Sequence, residues 1–400
     1  MNSKPPAPLA VQVGFFTLIR LVLNTSYRMI YPYLSTFQAG LGVGLPAISI
    51  ILSLRSLLSF AGPFLSPIAD RRGRRVSMLL GMLIFTLGAL AVVFFPTYAG
   101  FFASLLLMSL AFSIFLPAMQ AYLGDRVVYA RRGRVMGITE LSWSFAFILG
   151  VPLVGWLLAR SGAWQSPFPV LAALGGLGVI GLLVFIPQDA PRSNPDQAQS
   201  APLPIGSLLK VGAVRAGLLT AVCLNTSNEM VNLVFGIWLE DAFQFKLAAL
   251  GAASLAIGLS EMSGEGLSAA LVDRLGKTWS VRAGILLNCL AAGALFLFGG
   301  NVFGALGGLF LFYLTCEFTL VSLLPLMSET LPALRATVMA TTVASLALGR
   351  AIGTQFSPLI YEQFGMAGNT IVALAINGLA LVALAHIRVA EDGSAGSQAS

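Results

Sequence analysis

Stretches of roughly 20 or more residues, almost free of Lys, Arg, Asp and Glu, recur along this chain and are joined by short connections rich in arginine, glycine or proline. A helix of about 20 apolar residues covers the ~30 Å hydrocarbon core of a bilayer, where the backbone must satisfy its own hydrogen bonds. The stretches are predicted at about 10–36, 45–69, 76–95, 99–122, 135–159, 167–187, 213–239, 247–271, 279–299, 302–325, 337–361 and 367–388. The expected fold class is therefore all-α and integral to a membrane, with twelve crossings. With 57% hydrophobic residues, 10% charged residues and a mean hydropathy of +0.87, soluble enzymes, nucleic-acid readers and disordered scaffolds are largely excluded.

The chain is basic, with 23 Lys and Arg against 16 Asp and Glu. The positive residues gather in loops: 17 of the 23 fall on the side of the N-terminus, two (Arg160 and Lys246) on the other, and four inside the stretches. That bias predicts cytoplasmic termini and no nucleic-acid partner. Lys4 precedes prolines and Arg20 interrupts the first apolar run, so a retained helix is expected in place of a cleaved signal. Cys223, Cys289 and Cys316 lie in apolar stretches without ligand spacing, and no metal site or disulfide framework is expected.

Two halves are visible. Asp70-Arg71-Arg72-Gly73-Arg74 recurs as Asp273-Arg274-Leu275-Gly276-Lys277 at an offset of 203. The same offset relates Gly81 to Gly284, Val135-Met136-Gly137 to Val338-Met339-Ala340, and Gly150 to Gly353. Two parallel six-helix repeats are predicted, over 1–187 and 207–389. The proline-containing segment 188–206 is expected to form a cytoplasmic linker and the Gly/Ser-rich 390–400 a disordered tail.

On these residues the sequence resembles the major facilitator superfamily, whose loop between helices 2 and 3 reads Gly-x-x-x-Asp-Arg-x-Gly-Arg-Arg. Ser66 and Ala269 replace the first glycine in the two copies here, and a small residue is kept. The resemblance spans nearly the whole chain and implies a carrier that rocks two bundles about a central cavity. Asp70, Arg71, Gly73, Arg74, Asp273, Arg274 and Gly276 are then expected to form a cytoplasmic latch, and Asp70→Asn to leave insertion intact while stopping turnover in a vesicle transport assay. Gly150, Pro152 and Gly155 look like a loose form of the Gly-Pro motif of proton-coupled exporters, with plain helix packing equally open.

An ionised side chain at mid-membrane costs about 2.5–3.5 kcal/mol on insertion scales, so each needs a partner or a wet cavity. Nine persist: Arg20, Arg28, Arg55, Glu140, Glu229, Glu261, Glu265, Glu317 and Arg350. The N-terminal repeat holds three arginines and one glutamate, the C-terminal repeat four glutamates and one arginine. Arg20, Asn24, Tyr27, Arg28 and Tyr31 share one helical stripe, and Asn225, Asn228, Glu229 and Asn232 another; both are expected to face a substrate cavity with Arg55 and Arg350. Glu229, Glu261 and Glu265 are candidates for proton coupling, whereas Glu317 with Arg350 is expected to be a structural ion pair and Glu140 to meet the loop arginines. Tyr27, Tyr31, Trp143 and Phe235 offer a stacking surface or ordinary packing; Trp238 and Trp279 read as interfacial anchors.

Three weak signals are set aside. Gly276-Lys277-Thr278 lacks the earlier glycine of a phosphate loop, since that position is Leu271, and no ATP site is expected. Gly176-x-Gly178-x-x-Gly181 lies within an apolar helix with no preceding strand, and His386 has no nucleophile beside it in sequence. The leading expectation is a monomeric, cofactor-free secondary carrier of the plasma (inner) membrane, exporting a small organic solute against protons. An organic-anion carrier using the intramembrane arginines Arg20 and Arg55, with Arg350 as a third, is the rival within transport. A non-transporting sensor, scaffold or intramembrane enzyme is the rival outside it.

Overall fold

The computed structural model describes residues 8–58, 73–187, 208–331 and 334–385. Among the described residues every regular element is helical. The N-terminal half contains α1 (Leu9–Arg28), α2 (Leu34–Leu41), α3 (Leu45–Leu57), α4 (Arg74–Phe94), α5 (Tyr98–Arg126), α6 (Tyr129–Glu140), α7 (Ser142–Phe145), α8 (Val151–Ser161) and α9 (Pro167–Phe185). A single π-helical turn, Ala146–Gly150, joins α7 to α8. The C-terminal half contains α10 (Gly212–Asn232), α11 (Phe235–Phe243), α12 (Leu247–Leu275), α13 (Lys277–Phe298), α14 (Val302–Thr330) and α15 (Arg335–Ala385).

Nine of these helical stretches are long and apolar enough to cross a bilayer, ten if α2 and α3, bent by 114°, count together. The protein is thus a multi-pass membrane protein. Two features separate this number from the twelve stretches of the sequence. Asn225, Thr226, Ser227, Asn228, Glu229 and Asn232 lower the hydropathy of α10, while α15 runs through 51 residues and breaks at Gly365, where φ is 61°. The first stretch divides at the turn holding Pro32, which lacks a backbone donor, and α10 divides from α11 at the corresponding place.

The repeat is visible in packing. Gly81 of α4 lies against Ala111 and Phe115 of α5, and Gly284 of α13 lies against Phe318 and Thr319 of α14, 203 residues on. Thr97 and Asn301 each cap the helix that follows by accepting an N–H, from Gly100 and Gly304 respectively. Gly73 and Gly276 turn the chain into α4 and α13 with φ of 97° and 84°, a conformation open almost only to glycine. Gly276→Ala is expected to cost about 1–3 kcal/mol, read as a lower melting temperature of the detergent-solubilised protein.

The halves meet at the end of the bundle remote from residues 9 and 385. One apolar cluster runs there from Phe37 and Phe147 across to Phe235, Trp238 and Leu250. At the other end the C-terminal half keeps a separate core, built on Val214, Ile285, Leu326, Val338 and Leu384. Trp238, expected at the interface, is instead 9% exposed and packs edge-on against Phe243; Trp279, at 59%, is exposed.

Glycine sets how closely the halves approach. A Cβ on Gly236 would stand 2.6 Å from the Pro32 carbonyl oxygen, and one on Gly258 2.9 Å from that of Ser144. Gly150 presses on Thr25, and Gly155 on Tyr33 and the Leu247 carbonyl. Pro152 lies against Gly251. The Gly150, Pro152 and Gly155 positions therefore form a close-packed seam of α8 with α1 and α12. Gly178 and Gly181 of the apparent dinucleotide fingerprint likewise pack on Met82 and Phe15.

Candidate functional site

Charge is the scarce commodity inside this bundle, so the site is built from where each charged group finds a partner. In α1, Arg20 and Arg28 stand two turns apart and leave in different directions. Arg20 makes a bidentate pair with Glu140 of α6 at 2.6 Å for both bonds, with Thr139 at 3.3 Å. It is buried there, within the N-terminal half, and does not line the central cavity as the stripe predicted. Glu140 in turn meets Arg20 instead of the loop arginines, because the α6 carboxylate lies beside α1.

Arg28 crosses to the other half. Its two terminal nitrogens donate to Glu261 of α12 at 2.6 and 2.5 Å, and one also reaches the Trp143 carbonyl at 3.2 Å. The guanidinium lies 4.2 Å from the Trp143 ring centre and 3.6 Å from that of Phe147. Both partners are buried, with side chains 4% and 5% exposed. Planar charge between a fork of acceptors and two ring faces is the arrangement that suits arginine and not lysine. One turn along α12, Glu265 accepts a hydrogen bond from Ser144 at 3.1 Å.

A second network lies around α10. Glu229 accepts from Asn232 at 3.2 Å and from Tyr31 of the other half at 3.4 Å, and faces Arg350 of α15 at 3.5 Å. Its second oxygen is buried and has no partner among the described residues. Asn232 accepts from Tyr313 at 2.8 Å. Arg350 donates to the Tyr27 hydroxyl at 2.9 Å, closing a ring of contacts between the halves. Arg55 of α3 donates to the Tyr27 carbonyl at 2.9 Å and to the Tyr31 hydroxyl at 3.2 Å, with its guanidinium 3.7 Å from the Tyr27 ring centre. Arg55→Lys is expected to cost about 1–2 kcal/mol, seen in thermal melts, because an ammonium loses the planar stack and cannot reach both acceptors.

Below this ring, toward the end of the bundle where the cores separate, is a cavity of about 260 Å³ walled by both halves. Tyr27 and Ser56 border it from the N-terminal half; Asn225, Glu317, Leu320, Leu324, Leu346 and Arg350 border it from the other. The expected pair of Glu317 with Arg350 is not formed. Arg350 turns to Glu229 instead, and Glu317 has neither an ion pair nor a hydrogen bond among the described residues. The sequence signal for that difference is slight: Leu320, Val321 and Leu324 follow Glu317 at i+3, i+4 and i+7, one stripe with the carboxylate at its inner end.

Of the residues predicted to line the cavity, Tyr27, Asn225 and Arg350 do so. Asn225 donates to the Leu346 carbonyl at 2.6 Å, Asn24 donates to Ser142 at 3.1 Å, and Asn228 keeps a buried carbonyl oxygen without a partner among the described residues. Tyr31, Arg55 and Asn232 stand one layer behind, in the network. In the expected latch, Asp70 and Arg71 lie outside the described residues, as does His386. Arg74 meets Asp125 at 3.5 Å, and Lys277, at the corresponding place, is bonded to Glu329. Among the described residues no three His, Cys, Asp or Glu side chains are grouped to hold a metal ion, and the three cysteines are free thiols.

A sequence model described as Major Facilitator Superfamily matches residues 16–354. The chain is 26% identical over 398 residues to the uncharacterized MFS-type transporter YwfA of Bacillus subtilis, covering 96% of this chain and 95% of that one. It is 27% identical over 274 residues to the chromaffin granule amine transporter of Rattus norvegicus, covering 65% of this chain and 49% of that one. Among solved structures, a bacterial homolog of the human lysosomal transporter Spinster, inward-facing and unoccupied, superposes with a TM-score of 0.76 at 14% identity, over 96% of this chain and 97% of that one.

Proposed function

The chain belongs to the Major Facilitator Superfamily, as a multi-pass membrane transporter, and on that premise we propose that it exchanges protons for a small organic solute by alternating access, in the direction of export. In this reading the twelve stretches cross the plasma membrane as two six-helix units with cytoplasmic termini, joined through 188–206 and acting as a monomer. The cavity is then the cytoplasm-facing state.

The observation that carries the reading is the Arg28–Glu261 pair. It joins the halves beside a cavity that both halves wall. Opening the far end separates the two charges, and a buried carboxylate deprived of its guanidinium is penalised by several kcal/mol. A proton taken up at that moment replaces the lost partner, which ties proton movement to the change of state. Glu229, held by the halves through Tyr31 and Arg350, is a second group exposed to the same exchange, and Glu265 a third. The rival organic-anion reading is less well served: Arg20 is paired with Glu140 and Arg55 is bonded to Tyr27 and Tyr31, so among the described residues Arg350 is the guanidinium on the cavity wall.

The test is proton movement in inside-out vesicles holding a respiration-generated pH gradient, with a panel of organic cations, neutral solutes and anions. Solute-dependent proton release by the native chain, absent in Glu261→Gln and reduced in Glu229→Gln, is the expected result. Solute uptake with no proton release in the native chain would overturn the exchange.

A further inference from the structure

We propose that Glu317 is the point of solute recognition and that the solute is a compact organic monocation with an apolar body. The proposal deepens the transport reading above and rests on it.

Three observations carry it. Glu317 is the charged group on the cavity wall that makes no ion pair or hydrogen bond among the described residues: the nearby Arg28 and Arg350 are engaged by Glu261 and Glu229, and the Glu261 and Glu265 carboxylates add negative charge around it. The Tyr27 ring carries the Arg55 guanidinium at 3.7 Å and lies 5.4 Å from that of Arg350, so a cation approaching the ring meets two positive groups and recognition falls to the carboxylate. The rest of the wall toward the open end is aliphatic: Leu320, Leu324, Val343 and Leu346 continue the stripe of α14 and the facing stripe of α15. A solute entering from that end therefore meets Glu317 with its charged group and leaves its apolar part among the leucines. The cavity volume of about 260 Å³ is just below the ~300 Å³ at which ordinary ligand pockets begin, which sets the size.

The sign of the charge follows from closure. While the cavity is wet, water solvates Glu317; when the halves close over it, the carboxylate keeps its charge only with a counter-ion beside it. An anionic solute adds a second negative charge there, and a neutral one leaves the first uncompensated. A primary, secondary or quaternary ammonium supplies what is missing. A charge-assisted contact of this kind changes affinity by about ten- to a hundredfold.

The experiment uses the full chain, purified and reconstituted in nanodiscs. Binding of 1-methyl-4-phenylpyridinium, phenethylamine and phenylacetate, matched in size and differing in charge, is measured by equilibrium dialysis on the native chain, Glu317→Gln, Glu317→Asp and, as a control with nothing within 4 Å of the added carbon, Gly293→Ala. The expected result is binding of the two cations and not of phenylacetate. Glu317→Gln weakens it at least tenfold, Glu317→Asp restores a measurable part, and Gly293→Ala leaves it within threefold. Equal cation binding by native and Glu317→Gln proteins of the same melting temperature overturns the proposal, as does preference for phenylacetate or failure of the native chain to bind either cation. The two readings fail separately: cation binding through Glu317 without proton release in vesicles removes proton exchange and keeps the recognition site. Proton release driven by a neutral or anionic solute and untouched in Glu317→Gln removes the recognition site and keeps exchange.

Discussion

Arg28→Met is expected to abolish transport and to lower stability by about 3–5 kcal/mol, the cost of leaving a buried charge unpaired. Its partner Glu261 is 4% exposed and accepts both of its terminal nitrogens, so the carboxylate left behind has no water to turn to. The comparison that isolates this effect is Arg20→Met. Arg20 makes a pair of nearly the same geometry, but the Glu140 side chain is 49% exposed and is resolvated when the arginine goes. The expected loss there is only about 1 kcal/mol, as for exposed pairs. Replacing both charges, Arg28→Met with Glu261→Leu, recovers most of the stability because the desolvation penalty of both ions disappears, and still does not transport. Thermal unfolding in detergent and uptake in proteoliposomes check the two halves of the expectation. A melting temperature for Arg28→Met equal to that of Arg20→Met would show that the inter-half pair has no special weight.

Gly236→Ala is expected to drive the far end of the bundle open. The added Cβ would sit 2.6 Å from the Pro32 carbonyl oxygen and 2.7 Å from the Pro32 Cα and the Tyr31 carbonyl oxygen, all backbone atoms of the opposite half. No rotamer change relieves such a contact, so the halves must separate there. Overpacking of this kind costs about 1–3 kcal/mol, and about 1.4 kcal/mol is a tenfold change in the ratio of two states. Spin labels at Ala39 and Ala242, both exposed near the Ser35–Glu240 contact between the halves, read the outcome as a distance distribution. A shift to longer distances by at least tenfold in population is expected, together with slower turnover, since closing this end is half of the cycle. Gly293→Ala, which meets nothing within 4 Å, is the control and leaves the distribution in place. An unchanged distribution in Gly236→Ala would show that the seam does not limit the approach of the halves.

The periodicity of apolar residues was enough to read the membrane class, and the 203-residue offset located the twin turns at Gly73 and Gly276. What periodicity holds is the face of a helix: it put Arg20, Tyr27 and Arg28 on one stripe expected to face the cavity, and of the three Tyr27 lines it. It does not hold the partner. Arg20 finds Glu140 and Arg28 finds Glu261, 120 and 233 residues away, through packing of helices that no single stripe encodes. The expected pairing of Arg350 with Glu317 failed for the same reason. Both are on inward faces of one half, but Glu229 comes closer, and that released Glu317 to the cavity. Trp238 shows the limit from another side: a tryptophan near a helix end suggests an interface, yet this one is covered by the contact of α11 with its neighbours.

The 233 residues between Arg28 and Glu261 also bear on how the protein is made. At a synthesis rate of about 5–20 residues per second, Arg28 is in the nascent chain some 10–50 s before its carboxylate exists. During that interval α1 and the segment from Ser142 to Gly150 are already both available, and the Trp143 carbonyl with the ring faces of Trp143 and Phe147 belongs to that segment. The aromatic cradle thus shelters a cation through the half-made stage, and the final salt bridge records the arrival of the second unit. Assembly order is written into the bond: the first half can pack Gly81 onto Phe115 by itself, whereas the contact between units can only come last.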